Sequence, residues 1–166
     1  MTRYMNLIIE PLNSEHNRSA FECGIPSLDN YIKKQAKQDV KRRISRVFVA
    51  SGSENPQEII AYYTLSSLSI ELNKLPEKYI KNLPRVAIPA ALIGRLAVSL
   101  KAQKCGVGKM LLVDAIKRTL AVSNEIAIYA MVVDAINEEA AGFYKQFGFL
   151  KLKSNECRLF LPLKAL

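Results

Sequence analysis

A chain of 166 residues has room for one domain with a real hydrophobic core, and needs neither disulfides nor a structural metal to hold it. No apolar run approaches the roughly 20 residues needed to cross a bilayer, so no membrane-spanning helix is expected. Twenty-four Lys and Arg against fifteen Asp and Glu leave a net charge of +9, which points to an anionic partner: a nucleic acid, a phosphorylated cofactor or an acidic protein. The first residues lack the apolar core of a secretory signal, and Cys23, Cys105 and Cys157 are odd in number and far apart. That pattern predicts reduced thiols in a cytoplasm, with no zinc site. The only histidine is His16, which leaves metal catalysis and histidine general-base chemistry little to work with.

No linker, repeat or low-complexity tract interrupts the chain, so one compact domain over residues 1–166 is expected. Residues 5–11 read as a first strand. Ser27 is placed to cap a helix running to about Arg43, with Leu28, Tyr31 and Ile32 facing inward. From Lys33 to Arg46 stand seven cations (Lys33, Lys34, Lys37, Lys41, Arg42, Arg43 and Arg46) and one acid, Asp39. Lys33, Lys37 and Lys41 are four apart and predict one stripe, with Lys34 beside it. Such a stripe can neutralise phosphates or be a plain solvated face. Residues 46–51 form a short strand, 52–57 a polar turn, and 59–71, rich in Tyr, Thr, Ile and Leu, a long strand. Residues 72–89 carry three prolines and predict a loop with a short helical turn.

Residues 91–99 are a third strand and 106–122 a helix, with Leu111, Leu112, Ala115, Ile116, Thr119 and Leu120 at helical spacing opposite Lys109, Lys117 and Arg118. Residues 126–133 are nearly all apolar, as in a strand buried on both faces. A helix over 137–147 ends at Gly148, and 157–163 form a last strand. This alternation implies an α/β or α+β sheet with a parallel crossover.

The strongest motif lies between the third strand and its helix, in Gln103-Lys104-Cys105-Gly106-Val107-Gly108-Lys109. A pyrophosphate needs converging backbone N–H donors with no side chains in the way. Alternate glycines allow that approach, the helix N-terminus adds its positive end, and Lys104 and Lys109 can add charge. Alone, the pattern is equally compatible with a tight turn. It is neither a P-loop nor a dinucleotide fingerprint.

Taken together, Gly94-Arg95-Leu96-Ala97-Val98, Gln103-x-x-Gly106-x-Gly108, Asn137 and Phe143-Tyr144-x-x-Phe147-Gly148-Phe149 resemble the GCN5-related N-acetyltransferase (GNAT) superfamily. The resemblance implies a mixed, mostly antiparallel sheet with a parallel βαβ crossover, flanked by helices. It also implies acetyl-CoA as cosubstrate. Its pyrophosphate would sit on Gln103, Lys104, Cys105, Gly106, Val107, Gly108 and Lys109, and its pantetheine arm along Leu96, Ala97 and Val98, with Asn137 and Phe143 nearby. Tyr144 corresponds to the family's tyrosine near the thioester sulfur. Phe21-Glu22-Cys23-Gly24, Leu28-Asp29-x-Tyr31, Ala61-Tyr62-Tyr63-Thr64-Leu65-Ser66, Leu83-Pro84-Arg85 and Arg158-Leu159-Phe160-Leu161-Pro162-Leu163 are similar to the GNAT toxins of bacterial toxin–antitoxin modules. That branch acetylates the α-amine of aminoacyl-tRNA and is neutralised by a ribbon-helix-helix antitoxin. The sequence leaves open whether the chain forms a homodimer.

On chemistry, Tyr144 can protonate a departing thiolate, although Ala140, Phe143, Tyr144 and Phe147 also make an ordinary apolar helix face. Residues 61–70 contain no glutamate to act as base, and Glu71 lies just past them. The missing base suits an aminoacyl ester, whose α-amine is far less basic than a lysine with its pKa of about 10.4. Arg85 and Arg95, with the cluster from Lys33 to Arg46, are the candidates for holding tRNA, and plain surface cations are the alternative. Cys105 has no histidine to activate it and reads as a filler. Two other functions stay open: a GNAT enzyme for a protein or small amine, and a non-enzymatic RNA- or partner-binding module.

Overall fold

The computed structural model describes residues 4, 6–153 and 157–166. Seven strands form one sheet in the order β1-β2-β3-β4-β5-β7-β6. The strands are β1 (Leu7–Pro11), β2 (Arg46–Gly52), β3 (Ala61–Ile70), β4 (Ile88–Val98), β5 (Ala130–Asp134), β6 (Leu150–Lys151) and β7 (Arg158–Pro162). The recorded pairings are antiparallel except that of β4 with β5, as the mixed sheet expected from the sequence requires. Packing divides the chain into two compact units, Met1–Ser66 with Arg95–Lys117, and Ser67–Gly94 with Arg118–Leu166.

In the first unit, β1 and β3 flank β2, with Leu7 opposite Gly52 and Arg46 opposite Leu65. Period-two alternation sends the adjacent tyrosines near the start of β3, Tyr62 and Tyr63, to opposite faces. Tyr62 donates its hydroxyl to the Leu28 carbonyl at 2.6 Å and packs with Phe21, Tyr31, Ile32, Val47 and Val49. Tyr63 stacks on Phe48 and donates to Asp114 at 2.7 Å. Asp114 belongs to helix α4 (Val107–Val122).

The helical segment over the Tyr62 face runs as α1 (Pro26–Asn30), a π-helical stretch (Tyr31–Gln35) and α2 (Ala36–Lys41). Its start differs from the expectation at Ser27. Ile25 holds the N-cap position with no side-chain cap, and Pro26 opens the helix, where its missing N–H costs nothing. Asp29 accepts instead from the Cys23 N–H at 2.8 Å. The π stretch widens the turn, so residues four apart do not stack across it as they would on an α-helix. Lys33 is accordingly half-buried while Lys34, Lys37 and Lys41 are exposed.

In the second unit, β4 and β5 run parallel with Ala90 opposite Ala130 and Ile93 opposite Val133. β7 pairs with both β5 and β6. Ile70, Leu75, Ile88, Ala90, Ala130, Val132, Leu152 and Phe160 form the core, and Tyr79 from the short helix α3 (Glu77–Ile80) meets Phe160 edge-on. Several boundaries depart from the sequence reading, β3 among them, which spans Ala61–Ile70 where the sequence predicts 59–71. β1 begins at Leu7, and Met5 lies outside the described residues. β4 begins at Ile88, because Pro89 is exposed and is tolerated there. β5 begins at Ala130, and Ile126, expected in a buried strand, is 64% exposed.

Candidate active site

The turn of residues 103–108 is assembled inside the first unit. After β4, a 3₁₀ turn (Leu100–Ala102) leads to Gln103, whose carboxamide Nε2 donates to the Val98 carbonyl at 2.9 Å and the Cys23 carbonyl at 2.8 Å. One side chain thus ties the turn to the end of β4 and to the segment preceding α1. Lys104 and Gly106 take left-handed backbone conformations, φ +61° and +84°. The chain thereby reverses and enters α4, whose first-turn N–H groups have no partner within the helix. A Cβ on Gly106 would meet nothing within 4 Å, so its surroundings are open and only the backbone demands glycine. Val107 is buried and anchors the helix start, Gly108 is half-buried, and Lys104 and Lys109 are exposed. Cys105 points its Sγ to the Gln103 carbonyl at 3.4 Å.

Leu96, Ala97 and Val98 end β4. Ala97 packs into the core with Tyr31 and Tyr62, and Leu96 and Val98 are half-buried. The parallel ladder with β5 ends with Ile93 opposite Val133, three residues before this stretch.

Within the second unit, Asn137 caps helix α5 (Glu138–Lys145), accepting from the Ala140 N–H at 2.8 Å. Its Oδ1 is therefore committed to the helix, which leaves its amide N–H donors. Two turns on, Tyr144 is 4% exposed between Phe143 and Phe149, ring centroids 5.2 and 5.6 Å away. Gly148, at φ +96°, ends the helix and returns Phe149 under Tyr144. Burial, aided by the nearby Asp134 carboxylate, pushes the Tyr144 hydroxyl well above its ordinary pKa. Asp134 is itself held by the Arg158 guanidinium at 2.7 and 3.2 Å. That ion pair joins residues opposite each other on β5 and β7, and no sequence motif announced it.

The basic candidates divide between the units. In the first, Lys34, Lys37, Lys41, Arg42, Arg43 and Arg46 are exposed, and among the described residues none has a carboxylate at ion-pair distance. Asp39, the one acid among them, accepts from the Tyr31 hydroxyl at 2.9 Å and so serves the fold rather than the lysines. Arg95 lies flat on Tyr31, its Cζ 3.6 Å from the ring centroid. In the second unit, Arg85 is exposed, as is Glu71, the nearest carboxylate to the end of β3 in sequence. Among the described residues, no group of three or more His, Cys, Asp or Glu could hold a metal ion, and no helix is long and apolar enough to cross a membrane.

The mixed seven-stranded sheet with its one recorded parallel pair is the architecture of an acetyltransferase-like α/β fold. Residues 43–151 match the acetyltransferase (GNAT) domain model, and the chain belongs to that family. It is 34% identical over 146 residues to a tRNA-acetylating toxin of Mycobacterium tuberculosis, covering 88% of this chain and 86% of that protein. It superposes on AtaT complexed with acetyl-methionyl-tRNAfMet with a TM-score of 0.90 and 29% identity, covering 96% of each chain. It also matches a tyrosine-to-phenylalanine mutant of the AtaT toxin bound to the C-terminus of the antitoxin AtaR and acetyl-CoA. There the TM-score is 0.82 with 26% identity, over 96% of this chain and 94% of that one.

Proposed function

We propose that this protein is an acetyl-CoA-dependent N-acetyltransferase of the cytoplasm, a toxin that acetylates the α-amine of aminoacyl-tRNA and so blocks translation. The observation that carries the reading is the turn of residues 103–108: open space beside Gly106, two left-handed residues, and a helix start flanked by Lys104 and Lys109, which pair with no carboxylate among the described residues. These features fit a pyrophosphate, which backbone N–H groups and a helix N-terminus bind without intervening side chains. The β4 backbone at Leu96–Val98, past the end of its ladder with β5, is suited to pair with an amide-bearing arm. Asn137 and Phe143 complete the coenzyme residues, and all 166 residues serve one acetyltransferase domain.

Acetyl-CoA supplies an acetyl group activated as a thioester. The α-amine of the acceptor forms the new C–N bond to the carbonyl carbon as the C–S bond breaks. Tyr144 gives its hydroxyl proton to the departing sulfur, and the nitrogen loses its extra proton to water. Burial makes the Tyr144 hydroxyl a weaker acid, and the transfer is offset by the desolvation of the thiolate forming beside it, which raises the basicity of the sulfur as well. No carboxylate is needed as base, since an amine next to an ester is largely neutral near pH 7. Lys33, Lys34, Lys37, Lys41, Arg42, Arg43 and Arg46, with Arg85 and Arg95, hold the RNA. A ribbon-helix-helix antitoxin is the neutralising partner, and a homodimer the assembly to look for.

The test is labelled acetyl-CoA incubated with aminoacyl-tRNA, with deacylated tRNA and with cell protein. Label should enter only the first, at the α-amine. Label in protein instead would replace this acceptor with a lysine or small amine.

A further inference from the structure

Among the cations of the first unit, Arg95 is held by an aromatic ring, whereas Lys101 is held by the Glu58 carboxylate and Arg18 by the Lys33 carbonyl. The Arg95 guanidinium lies 3.6 Å from the centroid of the Tyr31 ring. Tyr31 is 3% exposed, with its hydroxyl on Asp39 at 2.9 Å, and it stacks at 16° on Tyr62, which in turn meets Phe21 edge-on. The Arg95 main chain is fixed as well, its N–H donating to Thr64 Oγ1 at 3.0 Å. On the strand, Arg95 shares a face with Ala97, two residues on, so the whole column rises from one side of β4. Among the described residues no carboxylate pairs with it, and its side chain remains partly exposed.

An arginine meant for phosphate presents the edge of its fork. Arg95 has one face set against a ring at 3.6 Å and the residue is partly exposed, a geometry in which the second face can form the next layer of an aromatic stack. Guanidinium planes stack on nucleobases in this manner in RNA recognition. We propose that Arg95 is a base platform, its outer face stacking on the 3′-terminal base of the aminoacyl acceptor. This rests on the aminoacyl-tRNA reading above and gives it a mode of recognition. In an aminoacyl ester the amino acid is carried by the ribose of the terminal adenosine, so that adenine is the base nearest the reacting amine.

The experiment compares three acceptors: aminoacyl-tRNA, an aminoacyl-adenosine, and the matching aminoacyl-ribose without a base. The amino acid is the one that a mixed aminoacyl-tRNA pool selects. Wild type should prefer the adenosine to the baseless ester by about ten-fold in kcat/KM, in line with the value of one stacked base. Arg95→Lys keeps the charge and loses the plane, so it should lose that preference at every salt concentration, mainly through KM. Thermal melting and acetyl-CoA binding check that the variant is folded. If Arg95→Lys keeps the full preference, the platform is overturned. If Arg95→Gln loses only a salt-dependent part of its tRNA affinity, with adenosine kinetics unchanged, Arg95 is a phosphate contact and the platform is equally overturned. If wild type acetylates none of the three, the aminoacyl-tRNA reading itself falls and takes this inference with it.

Discussion

Gln103 makes the sharpest test of how the coenzyme turn is built. Its carboxamide donates two hydrogen bonds, to the carbonyls of Cys23 and Val98, at 2.8 and 2.9 Å. Gln103→Ala removes both donors and leaves both carbonyls to find water. At about 1 kcal/mol for each bond, the loss is about 1–2 kcal/mol, the lower end applying because the residue is largely exposed. For a chain of this size that lowers the melting temperature by about 3–6 °C. The turn must then be ordered when coenzyme binds, which should weaken acetyl-CoA by about ten-fold. Gln103→Glu should be worse, since it sets a charged acceptor against two carbonyl oxygens and a pyrophosphate. Melting curves and calorimetry with acetyl-CoA read both effects. If both variants melt and bind like wild type, the carboxamide does not hold the turn and the anchoring argument is wrong.

Tyr144→Phe keeps the ring contacts with Phe143 and Phe149, so melting should barely change while turnover falls by roughly 10²–10⁴-fold, as for a lost general acid. Wild-type kinetics in that variant would leave Tyr144 as packing alone. Replacing Lys34, Lys37 and Lys41 together by Ala should weaken tRNA binding and flatten its log–log salt dependence by somewhat under one unit per lost phosphate contact. An unchanged slope would make this a solvated face. Alkaline stability gives a fourth prediction. Burial, then Asp29, raises the Cys23 thiol from 9.0 to about 11, and burial and Asp39 raise Tyr31 from 10.0 to about 12. Both folded pKa values lie above the unfolded ones, so this stability is complete below pH 9 and is lost as pH rises toward 11–12. Cys23 alone accounts for about 2–3 kcal/mol of it. Urea midpoints from pH 8 to 11 should fall, and Cys23→Ala should flatten the first part of the fall.

What the sequence disclosed depends on how local each signal is. Helix α4 was readable because Leu111, Leu112 and Ala115 recur at helical spacing directly after two glycines, and all three are buried. The strand before it was readable from composition, although its start was misplaced by Pro89, which a strand accepts where the side chain faces solvent. Composition misled at residues 126–129, where apolar residues cross an exposed connection before β5. Strand β6, at two residues, is too short to show a period. The π-helical stretch at Tyr31–Gln35 has no signature either, and it takes Lys33 out of the stripe that spacing predicts. The long-range contacts could not be read at all. Gln103 reaches Cys23 across 80 residues, and nothing near Arg95 in the sequence announces that its guanidinium will lie on Tyr31.

In the proposed mechanism Tyr144 is at once a core residue and an acid. Read from spacing, its place on an apolar helix face argues for packing alone, and the structure does bury it among aromatic rings. Yet the proposed chemistry asks for a group that is neutral before the reaction and gives up its proton only when a thiolate forms. Burial penalises the phenolate, and the Asp134 carboxylate penalises it further, so both forces hold the proton on the oxygen. Arg158 bears on the same balance, since it engages both carboxylate oxygens of Asp134 and limits the field that Tyr144 feels. A more exposed tyrosine, with its ordinary pKa near 10, would still be protonated at neutral pH and would be the stronger acid. The packing that makes Tyr144 look structural therefore raises the cost of its proton transfer, a cost that falls when the thiolate forms in the same desolvated surroundings and becomes more basic in turn.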